Sequence, residues 1–304
     1  MKVSVSSNLN NNTYKPYFQS GGVHMYTDFD HTFIPMNIDE FQIRAEDGNL
    51  NLDKYFKTFR KFVRRCRGNF QYTITTGRNL NEFSDTIQSA INHGINIPVP
   101  RRLITEEGQR KYVKLLPDFI GGKLNYYPAP LSWFERIDVA DKKFDTTREV
   151  YKSLRKNNFV IAAGDGDNDL RMLNPMTYLE YYMQKETGLK NPIDYELSKE
   201  GIKKLFERHG ILERMFKNMP FVGIVIRRDK YPDRFTQLFD IFGSGEYRKL
   251  VMVEEGELLS GIKQAIKMLS EHTQVVMAEM WQTWRNEGKN LQLKKSVIKA
   301  GKML

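Results

Sequence analysis

Residues 23–32 have the sequence VHMYTDFDHT, in which a short, mostly apolar run ends in two aspartates one residue apart. Side chains alternate along an extended chain, so Asp28 and Asp30 begin on the same side of it. In open α/β sheets, ligands bind just beyond the carboxyl ends of the strands, which is where this stretch places both carboxylates. Two negative charges this close repel each other unless a proton or a cation lies between them. The stretch therefore predicts a strand that ends in a shared proton or a metal site.

Predicted strands and helices alternate along the chain. Apolar runs predict strands at 23–27, 70–74, 102–105, 159–163, 221–226 and 249–253. Amphipathic patterns predict helices at 53–66, 80–92, 146–156 and 256–270. Asp53 is expected at the N-cap or in the first turn of the first helix. This alternation predicts an α/β fold with a mainly parallel sheet.

Composition limits the class of protein. The 304 residues are 40% hydrophobic and 12% aromatic, which is typical of a folded globular protein, and no run approaches the roughly 18 apolar residues that span a bilayer. Cys66 is the only cysteine, which favours a reducing compartment and predicts a cytoplasmic location. The Ser- and Asn-rich segment 1–20 is predicted to be a disordered leader. A leader for a type III secretion system has the same composition, so a secreted effector is the alternative.

The formal net charge of +10 favours acidic partners. Such partners include phosphorylated substrates, nucleic acid and an anionic membrane surface. The alternative is a basic protein whose lysines are solvated and bind no particular partner. The sequence leaves the oligomeric state open.

Three predicted strands end in polar residues. Besides Asp28 and Asp30, Thr75 and Thr76 follow the second strand, and residues 164–169, with the sequence GDGDND, follow the strand at 159–163. Neighbouring parallel strands end at a common edge, so these carboxylates and hydroxyls are expected to converge. Oxygen ligands without nearby histidine or cysteine favour Mg²⁺ over zinc, and such a site suits phosphoryl transfer.

The motifs resemble those of a known family. DFDHT at 28–32, TGR at 76–78, a lysine at 142 or 143 and GDGDND at 164–169 are similar, in order, to the four motifs of the haloacid dehalogenase superfamily. The TGR and GDGxND forms, with LITEEG at 103–108, resemble the Cof-type and sucrose-phosphatase-like phosphatases. The resemblance covers residues 22–176 and 220–270. It implies a three-layer, Rossmann-like core and a Mg²⁺-dependent phosphatase.

The resemblance also implies catalytic roles. Asp28 would be the nucleophile that forms an aspartyl-phosphate, and Asp30 the general acid and base. Thr76 would hydrogen-bond the transferring phosphoryl group. Lys143 would neutralise negative charge, with Lys142 as the alternative; we choose Lys143 because an apolar helix face lies behind it. Phe144 follows it, where the family often has glycine.

The remaining site residues follow from the same resemblance. Metal ligands would be Asp28, the backbone carbonyl of Asp30 and Asp165, with Asp169 as either a further ligand or a residue that supports the ligands, and Asp167 is expected to be a loop residue. Substrate contacts would come from Thr76, Gly77 and Lys143. Arg78 would either reach the substrate or support the loop, and Asn168 would either contact the phosphate or order the loop. His31 stands where the family commonly has glycine, and either lines the site or serves the loop.

Domain boundaries are predicted from the same comparison. The catalytic core would comprise 21–111 and 142–270, with 112–141 as a reduced and irregular cap. A charged helical insert, 177–219, would either form a lid over the substrate or be a solvated, ion-paired surface. Residues 271–304 are predicted to form a helix and a basic tail.

The function predicted is hydrolysis of a sugar phosphate or another small phosphorylated metabolite. A phosphatase for nucleotides or polynucleotide ends is the first alternative. A non-catalytic module that binds phosphate or nucleic acid on the same fold is the second.

Overall fold

The computed structural model describes most of the predicted core. The described residues are 22–35, 51–66, 69–98, 100, 102–105, 110–120, 123–128, 144–156, 158–187, 195–228 and 233–271. The predicted leader at 1–20 lies outside these ranges, as do the helix and basic tail predicted beyond residue 271.

In the described ranges, eight strands form one sheet. They are β1 (Val23–Asp28), β2 (Phe70–Thr75), β3 (Arg102–Thr105), β4 (Arg110–Ile120), β5 (Lys123–Pro128), β6 (Phe159–Gly164), β7 (Phe221–Arg227) and β8 (Leu250–Glu254). Their order is β5-β4-β3-β2-β1-β6-β7-β8. The six strands from β3 to β8 in this order are parallel, and the predicted α/β class with a mainly parallel sheet is confirmed. Strand order reverses at β1, between β2 and β6, which is where ligands bind in doubly wound sheets.

Helices cover both faces of the sheet. They are α1 (Leu52–Arg65), α2 (Leu80–Asn92), α3 (Phe144–Arg155), α4 (Leu170–Leu173), α5 (Pro175–Thr187), α6 (Lys199–Arg208), α7 (Gly210–Asn218), α8 (Asp233–Phe242) and α9 (residues 258–271). Among the described residues, no helix is long and apolar enough to cross a membrane.

The two faces of the sheet build two separate cores. In β6, Ile161 and Ala163 pack into a core shared with α1, α2 and α9. Val160 and Ala162 point the other way, into a core shared with α3 to α8. All four side chains are completely buried, because a central parallel strand has helices on both sides. This is the three-layer arrangement that the Rossmann-like expectation requires.

Local signals in the sequence fix the first helices. The Asn51 side chain caps α1 by accepting a hydrogen bond from the Lys54 amide, and Asp53 lies in the first turn, the second of its two predicted positions. Asn79 and Glu82 form a capping box at the start of α2, whose bounds match the prediction. Such caps satisfy amides that the helix itself leaves unpaired.

The segment predicted as an irregular cap begins as a regular hairpin. Strand β4 pairs antiparallel with β3, and β5 pairs antiparallel with β4, so residues 110–120 and 123–128 extend the sheet at one edge. In these two ranges the irregular pattern expected for 112–141 is wrong, and 121–122 and 129–143 lie outside the described residues. Whether the hairpin acts as a cap stays a prediction.

The predicted helical insert packs on the sheet. Ile202, Phe206, Leu212 and Phe216, from α6 and α7, are buried in the core shared with β7. On the opposite side of α6, Lys203 and Lys204 lie 3.9 and 3.6 Å from Glu207 and Glu200. These contacts are those of an ion-paired surface, and whether the segment also forms a lid over the substrate stays a prediction. Lys190, another basic residue of this segment, lies outside the described residues.

Candidate active site

Three strand ends bring the predicted residues to one edge of the sheet. Asp28, the last residue of β1, is paired in register with Thr75 at the end of β2. On its other side, Thr27 is paired with Ala163 of β6, one residue before Gly164. The loops that leave β1, β2 and β6 therefore begin side by side, at the point where strand order reverses.

Three carboxylates meet in this crevice. Asp28, Asp165 and Asp169 each offer an oxygen, and the three oxygens lie within 4.8 Å of one another. Asp165 is 4% exposed and Asp169 is 1% exposed. Carboxylates held this close in a buried position need a compensating cation. An oxygen-only donor set suits a hard cation such as Mg²⁺, so these residues fit the metal that the motifs imply.

The Asp169 side chain organises the loop after β6. Its Oδ2 accepts hydrogen bonds from the backbone amides of Asp165 and Gly166, both at 3.1 Å. Gly164 makes room for it, because a Cβ at position 164 would lie 2.4 Å from the Cβ and Cγ of Asp169. The glycine and the second aspartate of the GDGDND run are therefore one packing unit.

Asp165 has partners on both of its oxygens. The buried Thr32 hydroxyl donates to Oδ1 at 2.8 Å, and Arg228 Nη1 lies 3.0 Å from Oδ2. Burial, with a further contribution from the neighbouring Asp169, raises the pKa of Asp165 to about 6, although Thr32, Arg228 and His31 act in the opposite direction. Burial and repulsion thus exceed the stabilisation that the chain supplies to this carboxylate.

Asp30 lies beside the carboxylate cluster and pairs with Arg78. The Arg78 guanidinium donates from Nε to Oδ2 at 2.9 Å and from Nη2 to Oδ1 at 2.8 Å. This two-point contact fixes the plane of the carboxylate as well as its position. Arg78 also donates its backbone amide to Oγ1 of the buried Thr76, at 3.2 Å. The TGR motif therefore connects the end of β2 to Asp30.

His31 serves the loop after β1. Its φ of 54° lies in the left-handed region, which explains why glycine is common at this position in the family that the motifs resemble. Its Nδ1 lies 2.9 Å from Oε1 of Glu255, which follows β8. This contact joins the loop after β1 to the loop after β8.

The predicted lysine lies outside the described residues. Lys142 and Lys143 directly precede α3, whose Thr146 Oγ1 is 2.8 Å from the Thr75 Oγ1 at the end of β2. The start of α3 is therefore at the correct edge of the sheet, and the choice of Lys143 stays a prediction. Gly77 and Asn168 are exposed on the loops after β2 and β6. Both residues are therefore accessible to a substrate, and their contacts with it stay a prediction.

Two residues of the site had no assigned role in the sequence analysis. Thr32 was part of a motif, but its bond to Asp165 spans 133 residues of sequence. Arg228 directly follows β7, and the rule that functional residues follow parallel strands would have found it there. Both contacts depend on how loops from different strands meet.

Comparisons with known proteins add two distant structural likenesses. No protein-family model matches the chain, and no curated protein matches it. The solved structure of yhjK, a haloacid dehalogenase-like hydrolase protein from Bacillus subtilis, is 13% identical, with a TM-score of 0.28 over 82% of this chain and 95% of that chain. The sucrose-phosphatase from Synechocystis sp. PCC6803, solved with sucrose and phosphate, is 13% identical, with a TM-score of 0.30 over 81% of this chain and 98% of that chain. Scores this low carry no argument about activity, which rests on the residues of the site.

Proposed function

We propose that the chain is a Mg²⁺-dependent phosphatase that hydrolyses phosphomonoesters through an aspartyl-phosphate on Asp28. The observation that carries this proposal is the meeting of Asp28, Asp165 and Asp169 within 4.8 Å at the carboxyl edge of a parallel sheet. Thr76 follows Thr75, the residue paired with Asp28, and Arg78 connects Thr76 to Asp30. The order and form of the motifs, which resemble those of the haloacid dehalogenase superfamily, support the same chemistry.

Three aspartates would hold the metal. Asp28, Asp165 and Asp169 supply carboxylate oxygens, and the backbone carbonyl of Asp30 is the fourth protein ligand that the motif resemblance implies. Bound Mg²⁺ supplies positive charge that offsets the repulsion between a carboxylate and a phosphate ester. The oxygens of Asp165 and Asp169 keep their orientation through Thr32 and the loop amides.

The reaction has two displacement steps. In the first, an Asp28 oxygen forms a bond to phosphorus and the bond from phosphorus to the leaving oxygen breaks. Asp30, which has to take up a proton and free one oxygen from Arg78 before this step, gives that proton to the leaving oxygen. In the second, water attacks phosphorus, its proton goes to Asp30, and the bond between phosphorus and Asp28 breaks. Arg78 sets the direction of the Asp30 carboxylate, and the Thr76 hydroxyl is available to the phosphoryl oxygens.

The substrate class proposed is a sugar phosphate or another small phosphorylated metabolite. This rests on the resemblance of the TGR and GDGxND forms to the Cof-type and sucrose-phosphatase-like phosphatases. The net charge of +10 is compatible with any phosphorylated substrate, including a nucleotide. The buried, converging carboxylates argue for retained catalysis and against a module that only binds phosphate.

Hydrolysis of p-nitrophenyl phosphate and of a panel of phosphorylated metabolites tests the proposal. Activity should require Mg²⁺, and Asp28→Asn should reduce kcat by at least about a thousandfold, since it removes the nucleophile. Asp167→Asn is the matched control, because this exposed carboxylate is on the same edge but outside the cluster. Equal kcat for Asp28→Asn and Asp167→Asn would contradict the assignment.

A further inference from the structure

Arg228 pairs with one oxygen of Asp165, a carboxylate of the cluster. It follows β7 directly, and its Nη1 lies 3.0 Å from Asp165 Oδ2. The other oxygen, Oδ1, accepts the Thr32 hydroxyl at 2.8 Å. Within the described structure, both oxygens of this carboxylate are therefore engaged by the chain itself.

A divalent cation needs one of these two oxygens. Thr32 is completely buried and comes from the rigid loop after β1, so its hydroxyl has little freedom to leave. The Arg228 side chain is 32% exposed, and its guanidinium can move into solvent. A guanidinium and a divalent cation on one carboxylate also repel each other. Arg228 is therefore the exchangeable partner of Asp165.

We propose that a divalent cation enters the site by displacing the Arg228 guanidinium from Asp165. Arg228 then acts as an internal cation that neutralises the buried carboxylate before the metal arrives and lowers the apparent affinity for the metal. The inference rests on the metal site of the proposed function, and goes beyond it by assigning a role to a residue outside the four motifs.

Arginine suits this role. Without a cation, Asp165 and Asp169 repel each other in a buried place, and the loop that carries both would be destabilised. A partly exposed guanidinium relieves that repulsion and stays charged at any physiological pH. The pair is exposed only on the Arg228 side, so the guanidinium can leave for solvent while an incoming metal takes over the neutralisation of the buried carboxylate.

Mn²⁺ binding to the full chain tests the exchange. The dissociation constant is measured by electron paramagnetic resonance for the wild type, Arg228→Gln and Arg227→Gln. Loss of the competing cation should tighten Mn²⁺ binding to Arg228→Gln by about fivefold, the factor that corresponds to an ion pair of about 1 kcal/mol. Arg227→Gln is the matched control, since its guanidinium pairs with Glu254 at 3.6 Å on the exposed rim and the net charge changes equally.

A second measurement is made on the wild type and does not depend on how Arg228→Gln folds. The nitrogen NMR signal of the Arg228 guanidinium, assigned by its loss in Arg228→Lys, should move to the position of a solvated arginine as Mg²⁺ is added. An Arg228 signal that does not move when Mg²⁺ binds would overturn the inference. So would an Arg228→Gln affinity no tighter than that of Arg227→Gln. Failure of the wild type to bind either metal would overturn the proposed function together with the inference.

Discussion

Gly164 is the position where packing and metal binding are most tightly coupled. A methyl group there would lie 2.4 Å from the Cβ and Cγ of Asp169, about 1 Å inside normal carbon contact. Asp169 is buried, and moving it weakens the two hydrogen bonds, at 3.1 Å, that its carboxylate accepts from the loop. Overpacking costs ~1–3 kcal/mol and the loss of one bond to a charged group ~1.5–3 kcal/mol, so Gly164→Ala should lower the free energy of unfolding by about 2.5–6 kcal/mol if one of the two bonds is lost.

Urea unfolding and Mn²⁺ titration of three glycine variants test this estimate. In Gly166→Ala the new Cβ would be 3.8 Å from Asp169 Oδ2, an ordinary contact, so neither quantity should change much. Gly223→Ala clashes with the Leu250 side chain in the core and should lose stability without losing metal affinity. Only Gly164→Ala should lose both, with Mn²⁺ affinity lower by at least about tenfold. A Gly164→Ala variant with wild-type stability or wild-type Mn²⁺ affinity would refute the reasoning.

Two further predictions concern buried polar groups away from the site. The Lys249 ammonium is buried and donates to the Met219 carbonyl at 2.7 Å, and burial lowers its pKa from 10.5 to about 7. The unfolded chain therefore holds this proton more tightly, so stability should rise between pH 7 and pH 10.5 by up to about 1.4 kcal/mol per unit, and Lys249→Met should remove that contribution to the slope in urea unfolding. The Tyr26 hydroxyl contacts Ser153 Oγ at 2.8 Å and donates to the Glu149 carbonyl at 3.2 Å, so Tyr26→Phe should cost ~1–3 kcal/mol in the same assay. A change under ~0.5 kcal/mol would show that water replaces these bonds.

The strand ends were predictable because a local pattern and one topological rule suffice. An apolar run followed by aspartates places Asp28 and Asp165 at the same edge of any parallel sheet in which their strands are neighbours. Helix α2 was predictable from its residues alone, since Asn79, Glu82 and Gly94 mark its two ends. Gly94 has a φ of 75°, which suits a residue that follows a helix.

The hairpin of β4 and β5 was not predictable because its local signals point the other way. Pro117 lies where the register between the two strands shifts, between Lys114 and Phe119. Pro128 lies on the edge strand β5, where a missing amide is tolerated. A sequence pattern shows the prolines but not the pairing of β4 with β3, which decides the conformation.

The insert was ambiguous for a related reason. A charged amphipathic helix has the same pattern whether it covers a ligand or covers a sheet. The position of such a helix depends on the apolar surface that its buried face contacts. Phe206 and Phe216 pack into the core that contains Val160 and Ala162 of β6. Arg228 was missed because its partner, Asp165, is contributed by another strand.

The central position of β1 has a consequence for how the protein folds. Strand β1 pairs with residues 70–75 on one side and with residues 159–163 on the other. One edge of this apolar strand therefore stays unpaired until a segment more than 130 residues further along the chain has been synthesised. Closing such long loops before the contacts form is slow, and it leaves the early strands exposed in the meantime. The bond from Thr32 to Asp165 closes only when both halves of the sheet have met. The carboxylate cluster is therefore expected among the last features to assemble on the folding pathway.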